Sequence, residues 1–335
     1  MEVLLDTVEE TGETMPVNVA VPPVSKGPLT QHPEAVFDEE LDRFQKLLSK
    51  IDHGNLDSFK DEFFRRVDRI SDMIEHGPNP EAQKEKFFRV CGALDRSVMH
   101  ERTRWKPLGY AGDYQLIDWI YTKKTADSGS GKAFDMLYHT YEAAEAVRNR
   151  KEYFIRLCVE LAKASPSGIN VLNLGCGSCR DVLEVGRNQR NGRAVHFHCV
   201  DQEPKAIEYA RSLISGTGAE PFVRLEYCNL FRFRSAKAYN LIWSAGLFDY
   251  LDKRMATLLV RRFWRNLRPG GWFVFGNFSP ANPTRKGMEL VGKWFLLHRT
   301  AEELIELVND ARVPYTRLEV DSESLGINLF CKIQK

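Results

Sequence analysis

The sequence predicts an α/β sheet domain that follows an all-helical N-terminal domain. Apolar residues recur at helical spacing from Val36 to about Lys163, and no convincing strand precedes residue 169. Beyond residue 169, short apolar runs alternate with helix-like stretches, which is typical of a parallel sheet with crossover helices. The last two runs are separated by a short turn, so they are expected to form an antiparallel hairpin at the edge of the sheet.

The first part of the chain divides into a tail and a helical domain. Residues 1–34 contain five prolines and can bury little apolar surface, so we expect them to form a flexible tail. Residues 35–150 form the predicted helical domain, and residues 151–335 form the predicted sheet domain. Helical segments are expected at residues 36–51, 59–74, 81–94 and 134–163.

Seven apolar runs are the expected strands of the sheet domain, at residues 170–174, 196–200, 223–227, 241–243, 272–275, 315–320 and 327–333. Helix-like stretches separate them at residues 180–187, 204–214 and 253–267. Thr300 and Glu303 have the spacing of a capping box, which predicts the start of a further helix.

The composition narrows the class of protein. Lys and Arg total 47 against 46 Asp and Glu, a balance that gives no electrostatic reason to expect a nucleic-acid partner. No apolar run approaches the roughly 20 residues of a membrane span, and the first residues lack the pattern of a signal peptide. The seven cysteines are scattered, as is usual for reduced thiols. We therefore expect a cytoplasmic protein with small-molecule partners only.

The loop after the first strand carries the strongest local signal. The strand ending at Leu174 runs into Gly175-Cys176-Gly177 and then a helix, where free N–H groups can face a ligand. The second strand ends at Asp201, followed by Gln202, and an acidic residue there can accept hydrogen bonds from both ribose hydroxyls of a nucleoside. The alternative is a doubly wound domain in which Asp201 only caps the next helix.

These segments resemble the class I S-adenosylmethionine (SAM) dependent methyltransferases. The resemblance covers about residues 150–335 and includes Leu174–Gly177, Val200-Asp201, Asn229-Leu230 and Leu267–Gly271. It implies a Rossmann-like seven-stranded sheet with a C-terminal antiparallel hairpin, and SAM bound across the carboxyl ends of the strands without a metal. A dinucleotide-binding dehydrogenase is the competing interpretation, and the Pro-Gly-Gly turn and the final hairpin count against it.

The resemblance also implies which residues hold the cofactor. The glycines of the loop would pass under the methionine part, and the acidic residue of the second strand would hold the ribose. Residues after the third strand would flank the adenine, and residues after the fourth would line the methionine carboxylate and the sulfonium. The implied set is Gly175, Cys176, Gly177, Asp201, Gln202, Asn229, Leu230, Ser244 and Ala245. Cys176 and Cys179 also form a C-x-x-C pair, but no second pair follows at zinc-finger spacing.

The segment from Trp105 to Tyr114 combines aromatics and glycines without helical periodicity. It is either a packed connector or a lid whose tyrosines cover the sulfonium, since aromatic faces attract such cations. Arg148-Asn149-Arg150, on the last helix before the sheet, is placed to reach the cofactor carboxylate. Residues 244–251 follow the fourth strand, where this fold places groups that face the substrate.

Together these segments resemble one branch of the family, in which a helical lid domain precedes the methyltransferase fold. That branch includes azetidine-2-carboxylate synthases, which cyclise SAM and release 5′-methylthioadenosine, and methyltransferases that esterify hydroxy fatty acids. Cyclisation is the favoured prediction, with Tyr110, Tyr114, Asn149 and Asn277 as a cage that orients the SAM amine. Carboxyl methylation with release of S-adenosylhomocysteine is the alternative, and a SAM-binding module without activity is a third.

Overall fold

The computed structural model describes residues 33–187 and 194–335, so the predicted tail lies outside the described residues except for its last two. The first half is helical, as predicted. Its apolar side chains form one core in which Phe44, Phe63 and Phe87 are fully buried. The helices are α1 (Pro33–Leu48), α2 (Leu56–Glu75), α3 (Pro80–Val90), α4 (Val98–Trp105), α5 (Tyr114–Thr122), α6 (Gly129–His139) and α7 (Glu142–Ala164).

The helix predicted over residues 134–163 is in fact two helices, α6 and α7. The chain leaves helical geometry at Tyr141, where the backbone is extended, with φ −61° and ψ 130°. The Tyr141 ring stacks on Tyr138 with 5.3 Å between ring centroids, so both aromatics stay in the helical core across the break. Apolar spacing does not reveal this break because the buried face continues through it.

The second half forms the predicted seven-stranded sheet, in the order β3-β2-β1-β4-β5-β7-β6. The first five strands are parallel, and β7 runs antiparallel to both β5 and β6, which confirms the C-terminal hairpin. The strands are β1 (Ile169–Leu174), β2 (Val195–Asp201), β3 (Val223–Tyr227), β4 (Tyr239–Ser244), β5 (Leu267–Phe278), β6 (Arg317–Ser322) and β7 (Asn328–Gln334).

Helices cover both faces of the sheet. The second half of α7 packs on one face together with α8 (Arg180–Arg187) and α9 (Pro204–Ile214). Helices α10 (Lys253–Trp264) and α11 (Ala301–Ala311) cover the other. The capping box predicted at Thr300 and Glu303 is present at the start of α11. No helix in the described ranges is both long and apolar enough to cross a membrane.

Two segments join the halves. Helix α7 contains the predicted boundary at residue 150: Val147 packs in the helical core, whereas Phe154 packs against the sheet. The segment between β5 and α11 returns to the helical core through Met288 and Trp294. The carboxyl edge of the parallel strands therefore faces the helical domain, and the cavity described next lies between them.

Candidate active site

A cavity of about 590 Å³ lies at the carboxyl edge of the parallel strands, between the sheet and the helical domain. Its volume falls within the ~300–1,000 Å³ of typical small-molecule sites. Loops after β1, β2 and β4 form one side, and α5, α7 and the segment before α11 form the other. This is the edge at which α/β sheets bind their ligands.

The glycine loop adopts the backbone that its sequence requires. Gly175 and Gly177 have φ of +66° and +55°, values that favour glycine, and both residues line the cavity with Cys176. The N–H groups of Gly175 and Cys176 donate to the Val200 carbonyl, which fixes the loop to the end of β2. The loop then enters α8, and the helix N-terminus beside the cavity favours negatively charged or polar ligand atoms.

Asp201 connects this loop to β2. One carboxylate oxygen accepts from the Gly177 N–H at 2.8 Å, and the other accepts from the Glu203 N–H at 2.9 Å. Burial raises the pKa of Asp201, and these two hydrogen bonds oppose that rise. Each carboxylate oxygen can accept more than one hydrogen bond, so Asp201 can still bind a polar ligand while it shapes the loop. Gln202 lies beside it in the cavity wall.

Residues 106–113, between α4 and α5, form a lid loop over this site. Tyr110 and Tyr114 both line the cavity, and Tyr114 lies directly over Gly177. The Tyr250 hydroxyl donates to the Ala111 carbonyl and accepts from the Trp294 indole N–H, both at 2.9 Å. A side chain at Gly112 would collide with Tyr250, and its φ is +68°. The lid loop is thus held against the sheet domain.

Arg150 places a positive charge in the cavity wall. Its side chain is 5% exposed, and Nη1 donates to the Ala245 carbonyl at 3.2 Å. Its Nε has no hydrogen-bond partner in the described part of the chain. A buried guanidinium with an unused donor is costly unless a ligand pairs with it. Arg150 is therefore a candidate anchor for an anionic group beside Ala245.

Two buried carboxyl groups share this wall. Burial raises the pKa of Asp181 to about 6, and the positive charge of Arg150 partly opposes the rise. Burial raises the pKa of Asp249 to about 7. The hydrogen bond from the Phe278 N–H and the positive charge of Arg150 both act to lower this pKa. Asp249 accepts from that N–H through Oδ1 at 2.7 Å. It can therefore exchange a proton with a ligand near neutral pH.

The structure does not bring two of the four predicted catalytic residues to the cavity. Asn149 donates to Glu323 at 2.9 Å and to Ser324 at 3.1 Å, because successive helical residues point about 100° apart and Arg150 takes the inward position. Asn277 is fully buried behind the β4 loop, where its amide donates to the Leu297 carbonyl. The proposed cage is thus represented at the cavity only by Tyr110 and Tyr114.

The polar side chains of two residues predicted to bind the cofactor also bond to backbone groups and do not line the cavity. The Asn229 carboxamide oxygen accepts from the Phe231 N–H in a local turn, and Leu230 and Phe231 line the cavity instead. The Ser244 hydroxyl donates to the Leu174 carbonyl beneath the strand ends, while the following Ala245 reaches the cavity. Both polar groups are used to shape backbone rather than to face a ligand.

Other cavity residues come from parts of the chain with weak sequence signals. Trp294 and Leu296 line the cavity from an extended segment, with Phe295 between them 64% exposed. The sequence does not distinguish the inward from the outward side chains here, because residues 294–297 are all apolar. Asp249 belongs to the segment expected to face the substrate, and it is buried with its carboxylate bonded to the Phe278 N–H of β5.

The C-x-x-C pair forms a cluster of buried thiols with Cys199 of β2. The thiols of Cys176 and Cys179 hydrogen-bond each other and Cys199, and burial helps to raise the pKa of all three, so they are thiols at neutral pH. In the described ranges, no group of three or more His, Cys, Asp or Glu side chains is arranged to hold a metal ion.

The sheet order and the glycine loop agree with a comparison of this sequence with protein families. A family model described as a methyltransferase domain matches residues 171–271, from the middle of β1 into β5. The sheet domain therefore has the Rossmann-like class I methyltransferase fold. The dehydrogenase interpretation is therefore set aside.

Individual relatives are distant. A malonyl-[acyl-carrier protein] O-methyltransferase from Halalkalibacterium halodurans is 26% identical over 155 residues, which cover 44% of this chain and 54% of that protein. The chain thus matches only about half the length of this curated relative. A solved structure described as a possible exported protein from Bordetella parapertussis covers 93% of this chain and 99% of its own, at 17% identity and a TM-score of 0.56. That likeness extends the shared fold to the helical domain.

Proposed function

We propose that this protein is a SAM-dependent methyltransferase that esterifies a carboxylate. The observation that carries the proposal is the cavity in which the glycine loop and Asp201 face Arg150 and Asp249 at the carboxyl edge of a methyltransferase domain. The carboxylate acceptor is supported by the O-methyltransferase relative, whose acceptor is malonyl-[acyl-carrier protein].

The residues present fit SAM. Gly175 and Gly177 leave room for a ligand close to the loop backbone, and Asp201 offers carboxylate oxygens to ribose hydroxyls. The positive charge of Arg150, which lines the cavity, matches an anionic group such as the methionine carboxylate. Leu230 and Phe231 supply an apolar surface for the adenine.

The chain's own contribution to methyl transfer is positioning in a dry site. When bound, SAM supplies an electrophilic methyl group, and its transfer to a carboxylate oxygen yields a methyl ester and S-adenosylhomocysteine without proton transfer. The acceptor is already an anion, so alignment matters more than a base. Below its pKa of about 7, Asp249 is neutral and can donate a hydrogen bond to the acceptor. We expect the lid loop and Trp294, which line the cavity, to limit the access of water, which favours a reaction that neutralises charge.

The test is a pair of incubations of the full-length protein. With SAM and a series of carboxylic acids, we expect methyl esters and S-adenosylhomocysteine in equal amounts, and with SAM alone we expect neither. An Asp201→Ala variant controls for contaminating enzymes. Unchanged SAM in the presence of every acid, despite measurable SAM binding, would contradict the proposal and favour a binding module.

Cyclisation of SAM to azetidine-2-carboxylic acid is the second candidate, and Asp249 is the observation that favours it. The reaction needs a neutral amine, and a buried carboxylate with a pKa of about 7 can accept the amine proton. The amine nitrogen would then bond to the γ-carbon as the carbon–sulfur bond breaks and 5′-methylthioadenosine leaves. Chromatography separates the candidates, because only the cyclase releases 5′-methylthioadenosine from SAM alone.

A further inference from the structure

The main cavity and a second, smaller space share three apolar lining residues. Val147, Phe278 and Trp294 line the main cavity and also line a void of about 10 Å³ in the helical core. The void is roughly large enough for one water molecule. Its other lining residues are Ile120, Tyr138, Tyr141, Ala143, Ala144 and Met288.

This void offers little to a polar group. The Tyr138 hydroxyl is hydrogen-bonded to Thr103 at 3.1 Å, and the Tyr141 hydroxyl to His100 at 3.2 Å. The remaining lining is aliphatic, aromatic or thioether. Such a space suits a hydrocarbon group, because an apolar cavity stays dry and gains contacts when it is filled.

Of the three shared lining residues, Val147 is the one whose side chain can be shortened with least effect on other contacts. Trp294 is fixed through its indole N–H to Tyr250, and Phe278 belongs to β5 with its backbone bonded to Asp249. Val147 is 2% exposed and lies one helical turn after Ala143 and Ala144, which bound the void on the same helix. We therefore expect truncation of Val147 to join the two spaces, and enlargement of Val147 to shorten the main cavity.

We infer that Val147 limits the length of the apolar chain that this enzyme accepts on its carboxylate substrate. The inference rests on the proposed carboxyl methylation. The chain of the acceptor lies between the lid and α7, and its end stops against Val147. Specificity for the substrate is thus set on α7, outside the methyltransferase domain matched by the family model.

The test measures binding of linear carboxylic acids from butanoic to tetradecanoic acid by calorimetry, with the enzyme saturated with S-adenosylhomocysteine. We expect affinity to rise about 4-fold per methylene, as ~0.8 kcal/mol of burial implies, and to level off at a limiting length. Val147→Ala should move that limit by about two methylenes to longer chains, and Val147→Ile should move it to shorter ones. Val67→Ala is the matched control, because Val67 is fully buried in the same core and lines neither space.

The outcomes separate the inference from the proposed function. The same limiting length in wild type, Val147→Ala and Val147→Ile would overturn the inference, as would a shift of equal size in Val67→Ala. If the limit moves as expected but no acid is methylated, Val147 still bounds the apolar chain of a bound acid, and the proposed reaction is wrong. Acids that bind at no length would overturn both. Val147→Ile keeps the core filled, so the test does not depend on a variant with a cavity.

Discussion

The guanidinium of Arg180 clamps the carboxylate of Asp118, with Nε–Oδ1 at 2.5 Å and Nη2–Oδ2 at 2.9 Å. Arg180 begins α8 immediately after the glycine loop, whereas Asp118 lies on α5 next to the lid loop. The Tyr209 hydroxyl completes the arrangement by donating to Asp118 at 2.8 Å. Asp118 is 2% exposed and Arg180 is half-buried, and this bidentate pair joins the helical domain to the helix that follows the glycine loop.

Breaking the Arg180–Asp118 pair should loosen α5 from the glycine loop. We expect a double-mutant cycle of Asp118→Ala and Arg180→Ala, measured by urea unfolding, to give a coupling energy of about 1–3 kcal/mol. The exposed pair Arg285–Glu289 serves as the control and should couple by less than about 0.5 kcal/mol. Additive losses at Asp118 and Arg180 would show that the pair does not join the two elements.

Asp201→Ala should weaken SAM binding by about 10- to 100-fold, the equivalent of ~1.5–3 kcal/mol for hydrogen bonds to a charged acceptor. Part of the loss comes from the Gly177 N–H, which no longer has its acceptor. Asp201→Asn keeps an oxygen acceptor and should lose less. Calorimetry decides the matter, and an unchanged dissociation constant in Asp201→Ala would remove Asp201 from the cofactor site.

Arg150 and Asn149 offer a matched comparison on one helix. Arg150→Met should lower SAM affinity by about 10-fold or more, because a charge-assisted hydrogen bond to the cofactor carboxylate is lost. Asn149→Ala removes the contacts with Glu323 and Ser324 and should leave SAM affinity within about 2-fold of wild type. Equal effects of the two substitutions on the dissociation constant would argue that neither contacts the cofactor.

The raised pKa of Asp249 predicts a pH-dependent stability. Its pKa is 3.8 in the absence of burial and about 7 in the folded protein, so the folded state binds the proton more tightly. At low pH Asp249 is protonated in both states and its titration does not lower the free energy of unfolding. As pH rises from about 4 to about 7, the unfolded state loses the proton first, so the free energy of unfolding falls. Asp249→Asn should raise the melting temperature at pH 8 by several degrees and change it little at pH 4. An equal gain at both pH values would contradict this assignment.

The same group separates the two candidate reactions. Esterification of a carboxylate needs Asp249 neutral, so its rate should fall as pH rises through about 7. Cyclisation needs Asp249 ionised to accept the amine proton, so its rate should rise over the same interval. Initial rates of S-adenosylhomocysteine or 5′-methylthioadenosine release, measured from pH 6 to 8.5 in wild type and Asp249→Asn, test both. A profile that Asp249→Asn leaves unchanged would exclude Asp249 from either role.

Local constraints made part of this site predictable from sequence. The glycine loop must turn sharply between a strand and a helix, and this requirement is visible in its sequence. Asp201 ends the strand that pairs with β1, so its position beside the loop follows from the order of the strands. The strands could also be predicted from the sequence, because each is a short apolar run and most are separated by helix-like stretches. The break at Tyr141 could not be seen because both helices bury the same core.

The remaining features depend on contacts between distant segments. Arg150 and Asn149 are adjacent and both polar, and only the packing of α7 decides that Arg150 faces the cavity. Asn277 has the expected position at the end of β5, but Arg299 occupies its carboxamide oxygen at 2.6 Å. The pairing of Asp118 with Arg180 joins residues 62 positions apart and leaves no local pattern.

Helix α7 has a consequence for how ligands enter. It continues without interruption from the helical core to the face of the sheet, so no flexible hinge lies where the two halves meet along this part of the chain. The halves cannot swing apart there without bending a helix whose two ends are anchored in different cores. We therefore expect ligand exchange to use the eight-residue loop between α4 and α5, and the hydrogen bond from the Tyr250 hydroxyl to the Ala111 carbonyl is a contact that must break when this loop opens.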